Sequence, residues 1–147
     1  MRVVVQAAAF DLGAEANAFA QNLPGVGAIV TFTGIVRDSA SGDLAAMEIE
    51  HYPGMTEHAM TAIAEQAMTR WHLADCLVIH RYGRLQASDP IMMVATASRH
   101  RADAFAAAEF LMDYLKSRAP FWKKEITDEG ADWVAAKDED EAALKRW

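Results

Sequence analysis

The sequence has only one cysteine, Cys76, among 147 residues. A single cysteine excludes an internal disulfide bond and a metal site built from several cysteines. A glycine-rich phosphate loop is also missing, because residues 31–36 (TFTGIV) contain one glycine. The five histidines show no close spacing of the kind that zinc motifs have. We therefore expect neither a metal nor another cofactor, and we interpret Cys76 as a buried small hydrophobic residue rather than a reactive thiol.

Long apolar runs are missing too. No stretch approaches the roughly 18 apolar residues of a membrane-spanning helix, and the opening MRVVVQ lacks the apolar core of a secretion signal. We expect a cytoplasmic protein without membrane contact. With 147 residues, 52% of them hydrophobic, the chain is long enough for one buried core. We expect a single domain over 1–147 with an acidic tail from about 138 to 147.

Positive charge is scarce overall but concentrated in one segment. Residues 98–124 contain six basic and three acidic residues, whereas the whole chain has 14 basic and 21 acidic residues. The six are Arg99, Arg101, Lys116, Arg118, Lys123 and Lys124. Long-range attraction of a polyanion follows the net field of the protein. The pattern therefore favours a site for a small anion and argues against a nucleic-acid-binding surface.

Hydrophobic periodicity predicts a mixed α+β fold. Two main helices and one short N-terminal helix are expected, with a mixed or antiparallel sheet. The predicted strands are 2–6, 27–37, 45–51, 76–82, 91–98, 122–127 and 132–134, and the predicted helices are 11–22, 56–71 and 101–117. Asp11 is the expected cap of the first helix, and Pro120 is expected to end the last one.

Two lysines are candidate site residues, one at the end of the last predicted helix and one on the strand after it. Lys116 follows Leu115, so its stem should run along the apolar edge of the helix toward a cleft. Partial desolvation would raise the fraction of free amine, which can bind a carboxylate, act as a base or attack a carbonyl. Spacing alone favours the alternative, a solvated lysine at a helix end. Strand alternation should point Lys123 and Lys124 to opposite faces.

Three further cationic positions are candidates for anion contacts. His100 and Arg101 stand at the expected start of the last helix, where backbone N–H groups favour a phosphate, although an ordinary surface role fits equally well. Arg37 ends a predicted strand and offers a fork-shaped contact. Ser98 and His100 are two residues apart, but a nucleophilic serine also needs an orienting acid and an oxyanion site, for which the sequence gives no signal.

Five blocks carry a family resemblance. They are FTGIVR at 32–37, EIEHYPGMTE at 48–57, HRYGRL at 80–85, SRHRADAF at 98–105 and MDYLKSRAPFWKKE at 112–125. In this order, and across most of the chain, they resemble the large, catalytic subunit of molybdopterin synthase. The chain departs from the family pattern at Ser88, where the family usually has glycine. The resemblance implies an α/β hammerhead fold.

The resemblance also implies a reaction and its partners. The enzyme would be a sulfurtransferase that converts cyclic pyranopterin monophosphate to molybdopterin by forming its dithiolene, a step of molybdenum cofactor biosynthesis. A small ubiquitin-like partner would supply the sulfur as a thiocarboxylate on its C-terminal Gly-Gly. Two copies of this chain would form a homodimer at the centre of a heterotetramer. A single thiol that we expect to be buried independently favours a sulfur donor from outside.

Site residues follow from the resemblance position by position. Lys116 and Lys123 match the catalytic lysines, Lys116 holding the thiocarboxylate and Lys123 assisting proton transfer. Arg37, His100 and Arg101 match the positions that contact the substrate phosphate. The resemblance allows His100 and Arg101 to reach it across a dimer interface. The expected pocket-lining residues are Phe32, Met112 and Trp122, for which core packing is the alternative.

Two other classes of function remain open on the residues alone. A non-catalytic module that senses a phosphorylated metabolite would use the same cationic pocket without turnover. An enzyme that forms a Schiff base with a phosphorylated carbonyl compound would use one lysine and would need no protein partner.

The acidic tail is either ordered through Trp147 or a frayed, charged end.

Overall fold

A computed structural model describes all residues from Met1 to Trp147. The chain forms eight strands, four α-helices and one 3-10 helix. The strands are β1 Arg2–Gln6, β2 Ala28–Ile35, β3 Ala46–His51, β4 Asp75–Arg81, β5 Gly83–Leu85, β6 Pro90–Ser98, β7 Phe121–Thr127 and β8 Gly130–Trp133. The helices are α1 Leu12–Phe19, α2 Met55–Arg70, α3 Arg101–Arg118 and α4 Asp138–Ala143, followed by the 3-10 turn Leu144–Arg146. The expected α+β class with a mixed and antiparallel arrangement is confirmed.

The first sheet has the strand order β1-β4-β6-β2. β1 pairs with β4 in parallel, and the other pairs are antiparallel. Helices α2 and α3 cover one face and α1 covers the other. Successive residues of β4 therefore enter opposite cores: Val78 packs in the main core, and Leu77 and Ile79 pack under α1. Burial of both faces explains why β4 and β6 read as continuous apolar runs rather than alternating ones.

The second sheet is antiparallel, with the order β5-β3-β7-β8. β5 lies where the sequence indicated only a loop, because its three residues are too few for a periodic signal. β3 pairs with β7 so that Ile49 lies opposite Lys123 and His51 lies opposite Phe121. This pairing places the strand after α3 beside a strand that precedes it by about 70 residues.

Several element ends differ from the expectations. α1 ends at Phe19 rather than near residue 22, although Asp11 caps it as predicted by accepting a hydrogen bond of 2.8 Å from the Ala14 N–H. β2 ends at Ile35, so Arg37 lies beyond the strand. The acidic tail is ordered as α4 and the 3-10 turn. None of the helices is long and apolar enough to cross a membrane.

Candidate active site

Lys116 lies in the last turn of α3. The helix stops there because the residue before a proline avoids the helical region, and Ala119, which precedes Pro120, is extended with ψ 130°. Lys116 follows the buried Leu115, so its stem leaves the core at the helix edge. Its side chain is 49% exposed and its Nζ lies 3.8 Å from Oδ1 of Asp140. The stem therefore runs as expected, but the ammonium is well hydrated.

The desolvated amine belongs to Lys123 on β7. Burial lowers the pKa of Lys123, and the positive charge of Lys116 lowers it further. The carboxylate of Asp140 raises this pKa, because its negative charge stabilises the protonated amine. The effect of the Lys116 charge indicates that Lys116 lies in the same region of the molecule as Lys123. The end of α3 and the strand that follows it thus hold the two lysines in one region of the molecule, and their catalytic role remains a prediction.

Lys124 points away from this place, as strand alternation predicts. Its Nζ lies 4.5 Å from the ring centroid of Trp133 on β8, a cation–π contact on the other face of the sheet. β7 therefore separates two neighbouring lysines into different environments. Only Lys123 shares a site with Lys116, and Lys124 offers a matched control for it.

A buried imidazole lies beside Lys123 and was not singled out from the sequence. His80 on β4 stacks on Phe121, with ring centroids 3.7 Å apart. Its Nδ1 lies 2.8 Å from the Arg81 carbonyl oxygen, so Nδ1 donates and Nε2 keeps its lone pair. Burial lowers the pKa of His80 to about 3, and the charge of Lys123 contributes to this shift. His80 is therefore neutral beside the lysine pair.

His51 belongs to the same aromatic group. Its ring centroid is 4.4 Å from that of Tyr82 and 6.2 Å from that of Phe121. Its Nδ1 is buried without a hydrogen-bond partner in the chain. The only sequence signal for these histidines was their place inside the blocks EIEHYPGMTE and HRYGRL, because the pairing that joins them is nonlocal.

His100 and Arg101 lie at the opposite end of α3 from Lys116. His100 is the N-cap residue without a side-chain cap hydrogen bond, and Arg101 is the first helical residue; both are exposed. Arg101 and Lys116 are 15 positions apart on the helix, which is about 22 Å at 1.5 Å per residue. A single chain therefore does not bring this pair to the lysines.

Arg37 lies at the lysine end of the molecule. β6 runs from Pro90 to Ser98, and α3 returns along it, so the end of α3 and the start of β6 are neighbours. Ile35 pairs with Pro90, which puts Arg37 two residues beyond this end. The backbone there is fixed by two hydrogen bonds between Val36 and the turn that precedes β6. Val36 N–H donates to the Asp89 carbonyl at 2.9 Å, and Ser88 N–H donates to the Val36 carbonyl at 2.8 Å.

The predicted pocket-lining residues have different environments. Phe32 and Trp122 are 41% and 44% exposed, so neither is a core residue. Trp122 packs edge-on against Tyr52 with centroids 5.2 Å apart. Met112 packs against the main core and is half-buried. Trp122 shares its face of β7 with Lys124 rather than with Lys123, and the pocket-lining role of all three residues remains a prediction.

Known proteins resemble this chain along its whole length. Residues 5–118 match the family model described as MoaE protein. A relative from Cereibacter sphaeroides, described as molybdopterin synthase catalytic subunit, is 74% identical over 147 residues and 100% of both chains. A solved structure of a molybdopterin biosynthesis MoaE protein from Burkholderia ambifaria has 52% identity and a TM-score of 0.85, covering 99% of this chain and 97% of that one.

A more distant structure shares the fold. It is a protein–protein complex of subunits 1 and 2 of the molybdopterin-converting factor from Helicobacter pylori, with a TM-score of 0.76 at 17% identity, covering 92% of this chain and 90% of that one. At this identity the likeness shows the fold alone. The family model and the relative that is 74% identical across the whole chain establish that this chain belongs to the MoaE protein family.

Proposed function

We propose that this chain is the catalytic subunit of a molybdopterin synthase, in which Lys116 and Lys123 act on a sulfur atom delivered to cyclic pyranopterin monophosphate. The observation that carries the proposal is a hydrated Lys116 whose charge lowers the pKa of a desolvated Lys123, in a member of this family. The product of the reaction would be molybdopterin with its dithiolene group.

The two lysines suit different tasks. Lys116 remains exposed beside Asp140, so it serves as a mobile cation that holds and orients an incoming thiocarboxylate. Lys123 has a lowered pKa, so more of it is the free amine at neutral pH, and a group tuned this way exchanges protons efficiently. It would take or give protons as sulfur bonds to the pterin and would stabilise the negative charge that develops.

The sulfur must come from another molecule. Cys76 is fully buried, and burial raises its pKa to about 12, so it does not form the thiolate that sulfur transfer requires. A small ubiquitin-like partner whose C-terminal Gly-Gly ends in a thiocarboxylate would supply it. The protein from Helicobacter pylori that shares this fold is itself in a complex with a second subunit, and this is the precedent for such a partner.

The phosphate contacts require a second copy of this chain. Arg37 lies near the lysines, whereas His100 and Arg101 lie at the far end of β2 and α3. β2 spans eight residues, about 24 Å from its first to its last residue at 3.4 Å per residue. The three cations therefore meet only if one copy provides Arg37 and the other provides His100 and Arg101.

The free edge of β2 supports a homodimer that achieves this. β2 is the last strand of its sheet, and its sequence AIVTFTGI contains no charge and no proline that would block pairing. Ile29, Phe32 and Ile35 are 38%, 41% and 54% exposed along it. Antiparallel pairing of two β2 edges about a twofold axis would place the Arg37 end of one copy beside the His100 end of the other. Such a dimer would form the centre of the proposed heterotetramer.

The proposal is tested by reconstitution. The purified chain is mixed with a thiocarboxylated ubiquitin-like partner and the cyclic pterin, and dithiolene product is measured. Lys116→Ala should lower turnover by at least about 100-fold with fold and partner binding retained, and Lys124→Ala should not. Full turnover by Lys116→Ala would remove Lys116 from this role. Trapping of the chain by borohydride with a phosphorylated carbonyl compound, without partner, would support a Schiff-base enzyme instead.

A further inference from the structure

We infer that the acidic segment 137–147 is a built-in competitor that occupies the lysine site until the partner's anionic terminus displaces it. This inference rests on the proposed function. It adds a docking surface that the proposed function does not require. The surface is the cationic end of α3, formed by Lys116 and Arg118, together with Lys123 of β7. Its ligand class is a peptide segment that carries carboxylates.

The contacts between the segment and the lysine site are ionic. Oδ1 of Asp140 lies 3.8 Å from Nζ of Lys116, and the carboxylate of Asp140 also raises the pKa of Lys123, against the effect of burial. Glu141 accepts two hydrogen bonds from the guanidinium of Arg118, at 2.8 and 2.7 Å. Asp140 thus presents a carboxylate to Lys116 and acts electrostatically on Lys123, which is the chemistry expected of the visiting terminus.

The far end of the segment is anchored by an apolar contact. Trp147 packs edge-on against Trp71 and Phe110, each with centroids 5.6 Å away, and its Nε1 donates to Asp113 at 2.7 Å. The side chain of Arg146 pairs with Asp113 as well. The segment is thus held at both ends, by aromatic packing at one and by carboxylates at the other.

The two attachments differ in strength, which permits partial release. No residue of α4 is buried, and exposed ion pairs individually contribute little to stability. The aromatic anchor removes apolar surface from water and is less sensitive to competing anions. The carboxylates of α4 can therefore leave the lysines while Trp147 remains docked. Because the segment belongs to the same chain, its effective concentration at the lysines is high. A partner must therefore bind the lysines strongly enough to displace it.

The test compares two variants of the full chain. Asp140→Asn with Glu141→Gln removes the carboxylates that contact the site. Glu139→Gln removes a carboxylate from the same helix that makes no ion pair. Affinity for the partner with an ordinary C-terminal carboxylate is measured at fixed salt. The double variant should bind about three- to tenfold more tightly than the native chain, and Glu139→Gln should bind within about twofold of it.

A second measurement uses the native chain. A carbodiimide should join Lys116 to Asp140 in the free protein, detected as a linked peptide by mass spectrometry, and saturation with the partner should abolish this link. Unchanged or weaker binding by the double variant, or a link that persists at saturation, would overturn this inference and leave the proposed function untouched. Failure of every form to bind the partner or to form dithiolene would instead remove the proposed function.

Discussion

The two ends of α3 present positive charge in different ways. At the C-terminal end, Lys116 lies in the same region as the desolvated amine of Lys123 and the neutral imidazole of His80, and Oδ1 of Asp140 lies 3.8 Å from Nζ of Lys116. At the N-terminal end, His100 and Arg101 are exposed and lack protein partners in the chain. Under the proposed function, one chain would supply the lysines for the chemistry, whereas the contacts to the substrate phosphate would need a second copy.

The largest effect should come from Lys123, the desolvated member of the pair. Lys123→Arg keeps the positive charge but cannot give up its proton at ordinary pH, so turnover should fall about 10²- to 10⁴-fold. Lys116→Arg keeps a cation for the thiocarboxylate and should lose far less. Single-turnover formation of dithiolene measures both. Equal losses in the two variants would break the distinction between the lysines.

The pH dependence sharpens the same distinction. The pKa of Lys123 is lowered, so the free amine forms at a pH below the usual lysine range, and the rate should rise with pH to a plateau as Lys123 loses its proton. Removing the nearby positive charge in Lys116→Ala should move the deprotonation of Lys123 to higher pH. Acetylation of each lysine as a function of pH, read by mass spectrometry, reports this shift without requiring turnover.

The open end of α3 should be completed by a second copy. Arg37→Ala and Arg101→Ala should each weaken substrate capture about 10- to 100-fold, since each removes a charged hydrogen bond. Mixed dimers of the two variants would contain one site with both changes and one intact site. After subunit exchange at equal amounts, about a quarter of the native sites should recover. No recovery would mean that both arginines serve one site within a single chain.

Local sequence patterns predicted the elements on which this comparison depends. The apolar run of β4 and the proline after α3 are local signals, and both elements form as expected. Alternation correctly separated Lys123 from Lys124. The lysine convergence itself was expected only from the family resemblance, because spacing alone favoured a solvated Lys116.

The missed features are nonlocal. Pairing of His51 with Phe121 joins residues 70 positions apart, and stacking of His80 on Phe121 joins the two sheets. No local period records such contacts. The desolvation of Lys123 follows from them, so the sequence could name the lysine but not its environment. Likewise, the sequence predicted the negative charge of the tail but not the contact between Asp140 and Lys116.

His80 should make the lysine end sensitive to acid. Its pKa is lowered to about 3 in the folded protein by burial, whereas the unfolded chain should titrate near about 6.5. Between these values the unfolded state binds more protons, so stability falls as pH decreases, by up to about 1.4 kcal/mol per pH unit. His80→Asn should flatten this slope in urea unfolding at pH 4 to 6. An unchanged slope in His80→Asn would contradict this assignment.

The smallest expected effect concerns the turn that holds Arg37. Ser88 has φ 74°, a left-handed conformation that costs a non-glycine residue about 1 kcal/mol. Ser88→Gly should therefore raise the free energy of unfolding by about 0.5 kcal/mol after the greater chain entropy of glycine is included. Ala87→Gly is the matched control, because Ala87 has no positive φ to relieve and should lose stability instead. Since Ser88 N–H bonds to Val36 beside Arg37, unchanged substrate affinity in Ser88→Gly would show that the turn sets stability and not the position of the arginine.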